Sequence, residues 1–194
     1  MDNSGIENYN HLVSSETFSR VRRLHKEFVD EMHLNFGVTN PTYVENIQFI
    51  KIFGGGYGFD ERRNPVIYFS ELFAGEHPED DGFGPLNLDT IMLHESAHHL
   101  HIMRHGVFGD EYTLELIIDY SKIHFLKLKG MQKHIEVLTG DTELLAKELY
   151  DRISESRPLE SILTLNQEEA RKFLEGLLGA DHDYFLEPDE DDNE

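Results

Sequence analysis

Residues 90 to 105 read Thr-Ile-Met-Leu-His-Glu-Ser-Ala-His-His-Leu-His-Ile-Met-Arg-His, and this stretch constrains the whole fold. Wound as a helix, it is apolar on nearly every side, which predicts a buried central helix. The helix body is expected to begin at Thr90, behind a cap at Asn87 or Asp89. Its one polar stripe holds four histidines: His94, His98, His101 and His105. Buried polar groups need partners, so this stripe is expected to bind something.

Within the stretch, His94-Glu-Ser-Ala-His98 has the pattern H-E-x-x-H. The two histidines lie on one helix face, about 6 Å apart along the axis, and both rings can reach one ion. Glu95 is offset by one position, beside that ion. Two neutral imidazoles and a carboxylate that can take a proton from a bound water are typical of a zinc site. The alternative interpretation is a set of core histidines satisfied within the protein, since twelve histidines make chance matches less rare.

A third metal ligand is expected on the next helix, predicted from Glu111 to about residue 129. Glu111, Glu115 and Asp119 recur every four residues and share one face. If the two helices run antiparallel, Glu115 lies at the best distance from the turn to complete the site. Asp119, one turn further, is placed to accept the other ring N–H of a ligand histidine. Asp119, Glu111 and His105 remain alternatives for the third ligand.

These motifs resemble those of the zincin metallopeptidases, and within them the gluzincin group. Glu115-Leu-Ile-Ile-Asp119 is similar to the ligand glutamate and supporting aspartate of that group. His94-Glu-Ser-Ala-His-His-Leu-His101 is similar to the motif of ImmA/IrrE-type proteins. The resemblance covers about residues 66 to 120. It implies Zn²⁺ as cofactor, held by His94, His98 and Glu115, with Glu95 as general base and Asp119 supporting a ligand histidine.

The expected fold class is therefore α+β and zincin-like. A small, mainly antiparallel sheet would pack on the buried motif helix and the ligand helix, and the C-terminal half would be helical. The function implied is that of a zinc-dependent metallopeptidase, which hydrolyses peptide or protein substrates. The second hypothesis is a zincin-fold regulatory or interaction protein that binds metal and has little or no peptidase activity. Candidates for a transition-state donor are His124, His134, Tyr112 and Tyr120.

Composition indicates which classes of binding partner and which cellular compartment to expect. The formal net charge of −21 argues against nucleic acid and against an anionic membrane surface, because both would repel the chain. The sequence contains no run of eighteen apolar residues, and its first residues lack the features of a signal peptide. Absence of cysteine excludes disulfides and thiol catalysis and fits a reducing compartment. A cytoplasmic location is expected, and the oligomeric state is left open.

The chain is expected to form one domain over residues 14–179, of which 131–179 is the helical part. Residues 1–13 are expected to be loose, and the acidic residues 180–194 to form a disordered tail.

Two strands are predicted before the motif helix, at residues 43–53 and 66–70. The glycines at 54–58 are expected to form a turn region between them, and residues 71–88 a long loop. The strand at 66–70 is expected to lie nearest the site and to bind an extended peptide by strand addition.

Overall fold

The structure, a computed structural model, describes residues 7–74, 84–106, 111–156 and 160–179. These residues form an α+β fold, as expected, with seven α-helices and one small sheet. In chain order the elements are α1 Ser15–Met32, β1 Asn46–Ile50, β2 Gly55–Phe59, β3 Pro65–Ser70, α2 Pro85–His105, α3 Glu111–Leu128, α4 Gln132–Glu136, α5 Asp141–Ser156, α6 Glu160–Leu163 and α7 Gln167–Leu178. Short 3-10 helices lie at Asn10–Leu12 and Glu71–Ala74.

The sheet has the strand order β1-β3-β2 and is mixed. β1 runs parallel to β3, with Asn46 opposite Val66, whereas β2 runs antiparallel to β3, with Gly55 opposite Phe69. The expectation of a mainly antiparallel sheet was therefore wrong. β1 is also shorter than the strand predicted at 43–53. The strand expected to bind a peptide by strand addition, 66–70, is the central strand and pairs with a neighbour on each side.

The glycine segment predicted as a turn forms strand β2, which lies on the motif helix. A Cβ atom added at Gly55 would lie 2.2 Å from Cγ2 of Ile91, which is far too close for any side chain. The absence of a side chain thus lets this strand approach α2 at backbone distance. Glycine content indicated a turn, but the segment is extended because of its tertiary contacts.

Helix α2 begins at Pro85, earlier than the predicted start at Thr90. Gly84 occupies the N-cap without a side-chain hydrogen bond, and proline suits the first turn because that turn needs no N–H donor there. Asp89, predicted as a cap, is instead buried and lies 3.0 Å from Arg20 Nε and 3.1 Å from His134 Nε2. Gly106 ends the helix in the left-handed conformation, which glycine adopts without steric cost.

The rest of the described chain surrounds α2. α1 and α3 pack against α2, and α5 and α7 pack against α3, so that the C-terminal half is helical as predicted. At the other end, Tyr9 donates its N–H to Phe49 O at 2.8 Å, so part of the segment expected to be loose lies along β1. The tail at 180–194 and residues 75–83 of the loop predicted at 71–88 lie outside the described residues. Apart from Gly84, the rest of that predicted loop is helical, in the 3-10 helix Glu71–Ala74 and in the first turn of α2. No described helix is both long enough and apolar enough to span a membrane.

Candidate metal centre

Three side chains from two helices converge at the middle of α2. His94 Nε2 lies 2.9 Å from Glu115 Oε2, and His98 Nε2 lies 3.1 Å from Glu115 Oε1. The two Nε2 atoms are 3.1 Å apart. One ligand atom from each residue falls within 4.8 Å of the others, so this group could hold a metal ion. Two imidazole nitrogens and one carboxylate are a donor set that suits a transition metal.

The four-residue repeat of the helix brings His94 and His98 together, and the antiparallel course of α3 brings Glu115 to them. The contacts themselves show that course, because His98 meets Glu115 while His94 also meets Asp119, one turn further along α3. This is the geometry that turn symmetry predicted for the third ligand.

Asp119 fixes the ring of His94. His94 Nδ1 lies 2.9 Å from Asp119 Oδ1, and the carboxylate is 1% exposed. Since an ionised carboxylate only accepts, Nδ1 carries the proton, and Nε2 is the atom that can coordinate a metal. The contact predicted for Asp119 with a ligand histidine is therefore present, and it is made with His94.

The hydrogen bonds among His94, Glu115 and Asp119 shift the pKa values of all three side chains. Burial acts to lower the pKa of His94, but its hydrogen bonds to Asp119 and Glu115 outweigh burial and raise the pKa to about 10. Burial acts to raise the pKa of Glu115, and the hydrogen bonds from the two histidines bring it down to about 2. For Asp119 burial also acts upward, and the Lys122 charge and the His94 hydrogen bond hold its pKa well below its usual range. These opposite pKa shifts have one cause, the close contacts between the His94 ring and the two carboxylates.

Glu95 lies beside the ligand group and is not a member of it. The residue is 5% exposed, and burial is the main cause that raises its pKa above the ordinary value. Its Oε1 atom faces β2, 3.3 Å from the position that a Cβ of Gly55 would take. The carboxylate therefore lies close to β2, and its charge interacts with those of His94, His98 and Glu115.

Among residues with described side chains, the alternative third ligands do not join the group. His105 stacks on His101 with ring centroids 4.6 Å apart, further along α2. Asp119 is turned to Nδ1 of His94. The side chain of Glu111 lies outside the described ones.

Three of the four predicted candidates for a transition-state donor contact other side chains. His134 pairs with Asp89, and His124 Nδ1 lies 2.8 Å from the Tyr150 hydroxyl. Tyr120 stacks on the Tyr150 ring. The fourth candidate, Tyr112, has no described side chain.

Sequence reasoning missed three residues that surround Asp119. Lys122 Nζ lies 2.8 Å from Asp119 Oδ1 and also pairs with Glu143, and the Thr142 hydroxyl donates to Asp119 Oδ2 at 2.6 Å. The pairing of Lys122 with Asp119 could have been predicted, because Lys122 follows Asp119 by three residues on α3 and stands among apolar positions of that helix. Thr142 and Glu143 belong to α5, and no local pattern connects them to the site.

A second series of buried hydrogen bonds links α2 to α1. Val44 donates its N–H to His25 Nε2 at 2.9 Å, so Nδ1 carries the proton and donates to Ser96 Oγ at 2.8 Å. Ser96 in turn donates to the Met92 carbonyl at 2.6 Å. His25 is buried in its neutral form, and burial is the main cause that lowers its pKa to about 3.

This burial predicts acid sensitivity. The unfolded chain binds a proton at His25 near pH 6.5, whereas the folded chain does so near pH 3. Protonation of His25 therefore does not lower the free energy of unfolding above pH 6.5, and it lowers that free energy progressively as the pH falls below 6.5. For one such group, the free energy of unfolding changes by roughly 1.4 kcal/mol per pH unit. Between pH 6.5 and 4.5, the free energy of unfolding from urea titrations should depend less steeply on pH in His25→Gln, by about one proton. Identical slopes in the variant and the wild type would contradict this assignment.

Comparison of the chain with family models, curated proteins and solved structures finds no match. Whatever is concluded about function therefore depends on the geometry of this site and on the chemistry of its residues.

Proposed function

We propose that the protein is a zinc-dependent metallopeptidase of zincin type. The observation that carries this proposal is the convergence of His94 Nε2, His98 Nε2 and the Glu115 carboxylate, with Glu95 buried beside them. Each member comes from a helix that packing holds in place. Among the described side chains this set has three donors, one fewer than the four protein ligands that normally close a structural zinc site.

The residues present fit zinc as the resident ion. Asp119 holds the Nδ1 proton of His94, which leaves Nε2 as the donor, and Glu115 reaches both rings. When bound, zinc would polarise the carbonyl of the substrate and lower the pKa of a bound water to about 7. With three donors among the described side chains, a coordination position would remain for water or substrate, and this supports an enzyme over a protein with a structural metal.

Glu95 is the residue we assign to proton transfer. Its carboxylate accepts a proton from the attacking water and returns that proton to the nitrogen of the departing amine. The raised pKa suits this role, because a base whose pKa is nearer to neutrality both accepts and releases a proton readily. Burial also excludes bulk water from the carboxylate and fixes its position.

The substrate we propose is an extended peptide or protein segment that pairs with β2. This strand is at the edge of the described sheet, and its Gly55 faces Glu95. A peptide that adds to β2 would hydrogen-bond to its backbone and pass beside the general base. The role expected of the strand at 66–70 is thereby reassigned to Gly55–Phe59.

A peptide library tests this proposal. Zinc-loaded protein is incubated with a proteome-derived peptide mixture, and new termini are identified by mass spectrometry. We expect cleavage that a zinc chelator abolishes and that added zinc restores. Absence of any zinc-dependent cleavage, with the metal bound, would favour the regulatory hypothesis.

A further inference from the structure

A buried cation lies behind the candidate metal centre. Lys122, on α3, is 2% exposed, and its ammonium group contacts Asp119 and Glu143. An apolar side chain at such a position often stabilises a core as well as a buried ion pair does. Packing alone therefore gives no reason for a lysine here, and its contacts point towards the metal centre.

Asp119 is held through both carboxylate oxygens by three elements. Oδ1 lies 2.9 Å from His94 Nδ1 on α2 and 2.8 Å from Lys122 Nζ on α3. Oδ2 accepts the Thr142 hydroxyl of α5 at 2.6 Å. With a donor on each oxygen, the carboxylate plane cannot turn without loss of a charge-assisted hydrogen bond. The orientation of the His94 ring follows from that plane.

The start of α5 is fixed by the same lysine. Glu143 pairs with Lys122 through Oε1, while its Oε2 accepts the backbone N–H groups of Thr139 and Gly140, both at 2.9 Å. These bonds hold the segment that carries Thr142 against α3. Lys122 thus acts on Asp119 directly and also helps to place the second donor.

From these contacts we infer that Lys122 and Thr142 are positioning residues of the metal centre: they hold Asp119 so that the His94 ring presents Nε2 towards Glu115. This inference rests on the metal-binding part of the proposed function and not on peptide hydrolysis. The competing interpretation is that the cluster only ties α5 to α3. In that case its loss would lower stability without a change in metal affinity.

The Thr142 pair of variants separates the two interpretations. Thr142→Val keeps the shape and removes the donor, whereas Thr142→Ser keeps the hydroxyl. Zinc affinity is measured by competition with a chromophoric chelator, and the melting temperature of the metal-free protein is measured beside it. We expect Thr142→Val to bind zinc roughly tenfold more weakly and Thr142→Ser to stay within about twofold of wild type. The Co²⁺-loaded valine variant should also show an altered visible absorption spectrum.

Lys122→Met and Glu143→Gln form a second matched pair. Both remove the Lys122–Glu143 ion pair, but only Lys122→Met removes a donor from Asp119. We expect zinc affinity to fall about 10 to 100-fold in Lys122→Met, whatever its melting temperature. The fall should be clearly smaller in Glu143→Gln, because the glutamine oxygen can still accept the N–H groups of Thr139 and Gly140 that keep Thr142 in place. If Lys122→Met does not fold, the Thr142 pair, which leaves the ion pair intact, decides alone.

The outcomes separate this inference from the proposed function. Wild-type affinity in folded Thr142→Val would overturn the positioning role and leave the metallopeptidase proposal untouched. A wild-type protein that binds no zinc would overturn both.

Discussion

Replacing Glu95 by glutamine is expected to lower peptide hydrolysis by about a hundredfold or more, with zinc content and melting temperature nearly unchanged. Glutamine has almost the same shape, but it cannot accept a proton at neutral pH. The site keeps its ligands, because Glu95 is not among the residues whose donor atoms converge. The measurement is kcat/KM on a peptide identified in the library, together with the metal content and thermal unfolding of the same preparations.

Glu61→Gln is the matched control, since Glu61 is an exposed acid in the turn between β2 and β3. It should retain the wild-type rate. A Glu95→Gln protein that cleaves the same peptide at the wild-type rate would exclude the proposed proton transfer, even if zinc is bound.

Loss of the third ligand has the second large effect. Glu115→Ala should weaken zinc binding by at least about tenfold, because its two oxygens are the groups that reach both histidine rings. Glu111→Ala, on the same helix face, should change the affinity little, and Asp119→Asn should weaken it through the orientation of His94. Affinity is measured by chelator competition at pH 7.5. Equal affinity in wild type and Glu115→Ala would assign the third ligand elsewhere.

Much of the candidate site could be predicted from the sequence because it depends on helix geometry. The spacing of His94 and His98 fixes their relation on any helix, and the offset of Glu95 follows from the same repeat. The choice of Glu115 needed only one further assumption, that α2 and α3 run antiparallel, and the contacts agree with it. Asp119 follows from Glu115 by one more turn.

The parts that failed depend on contacts between distant segments. Gly55 has no local feature that indicates a strand. A glycine is needed there because the Ile91 side chain of α2, 36 residues later in the sequence, leaves no room for a Cβ atom. The early start of α2 at Pro85 shows a similar limit, since Asp89 looked like a cap until its partners Arg20 and His134 were known. A capping prediction takes into account one segment of sequence, whereas the burial of an acidic side chain depends on residues from distant segments.

Lys122 illustrates the same limit at the site. Amphipathic periodicity assigns a lysine to the solvent side of a helix. The spacing from Asp119 can be seen in the sequence, but the burial of Lys122 also depends on its pairing with Glu143, 21 positions away. The predictions made from composition, namely no nucleic-acid partner and a cytoplasmic location, stay predictions.

The metal content of the purified protein tests the central claim most directly. Wild type is incubated with zinc at pH 7.5, desalted and analysed for elements, in parallel with His94→Ala. We predict about one zinc per wild-type chain and little or none in the variant, because His94 supplies a ligand nitrogen and contacts both Glu115 and Asp119. A wild-type protein that retains no transition metal, or a His94→Ala variant that retains as much zinc as wild type, would contradict the metal centre described here.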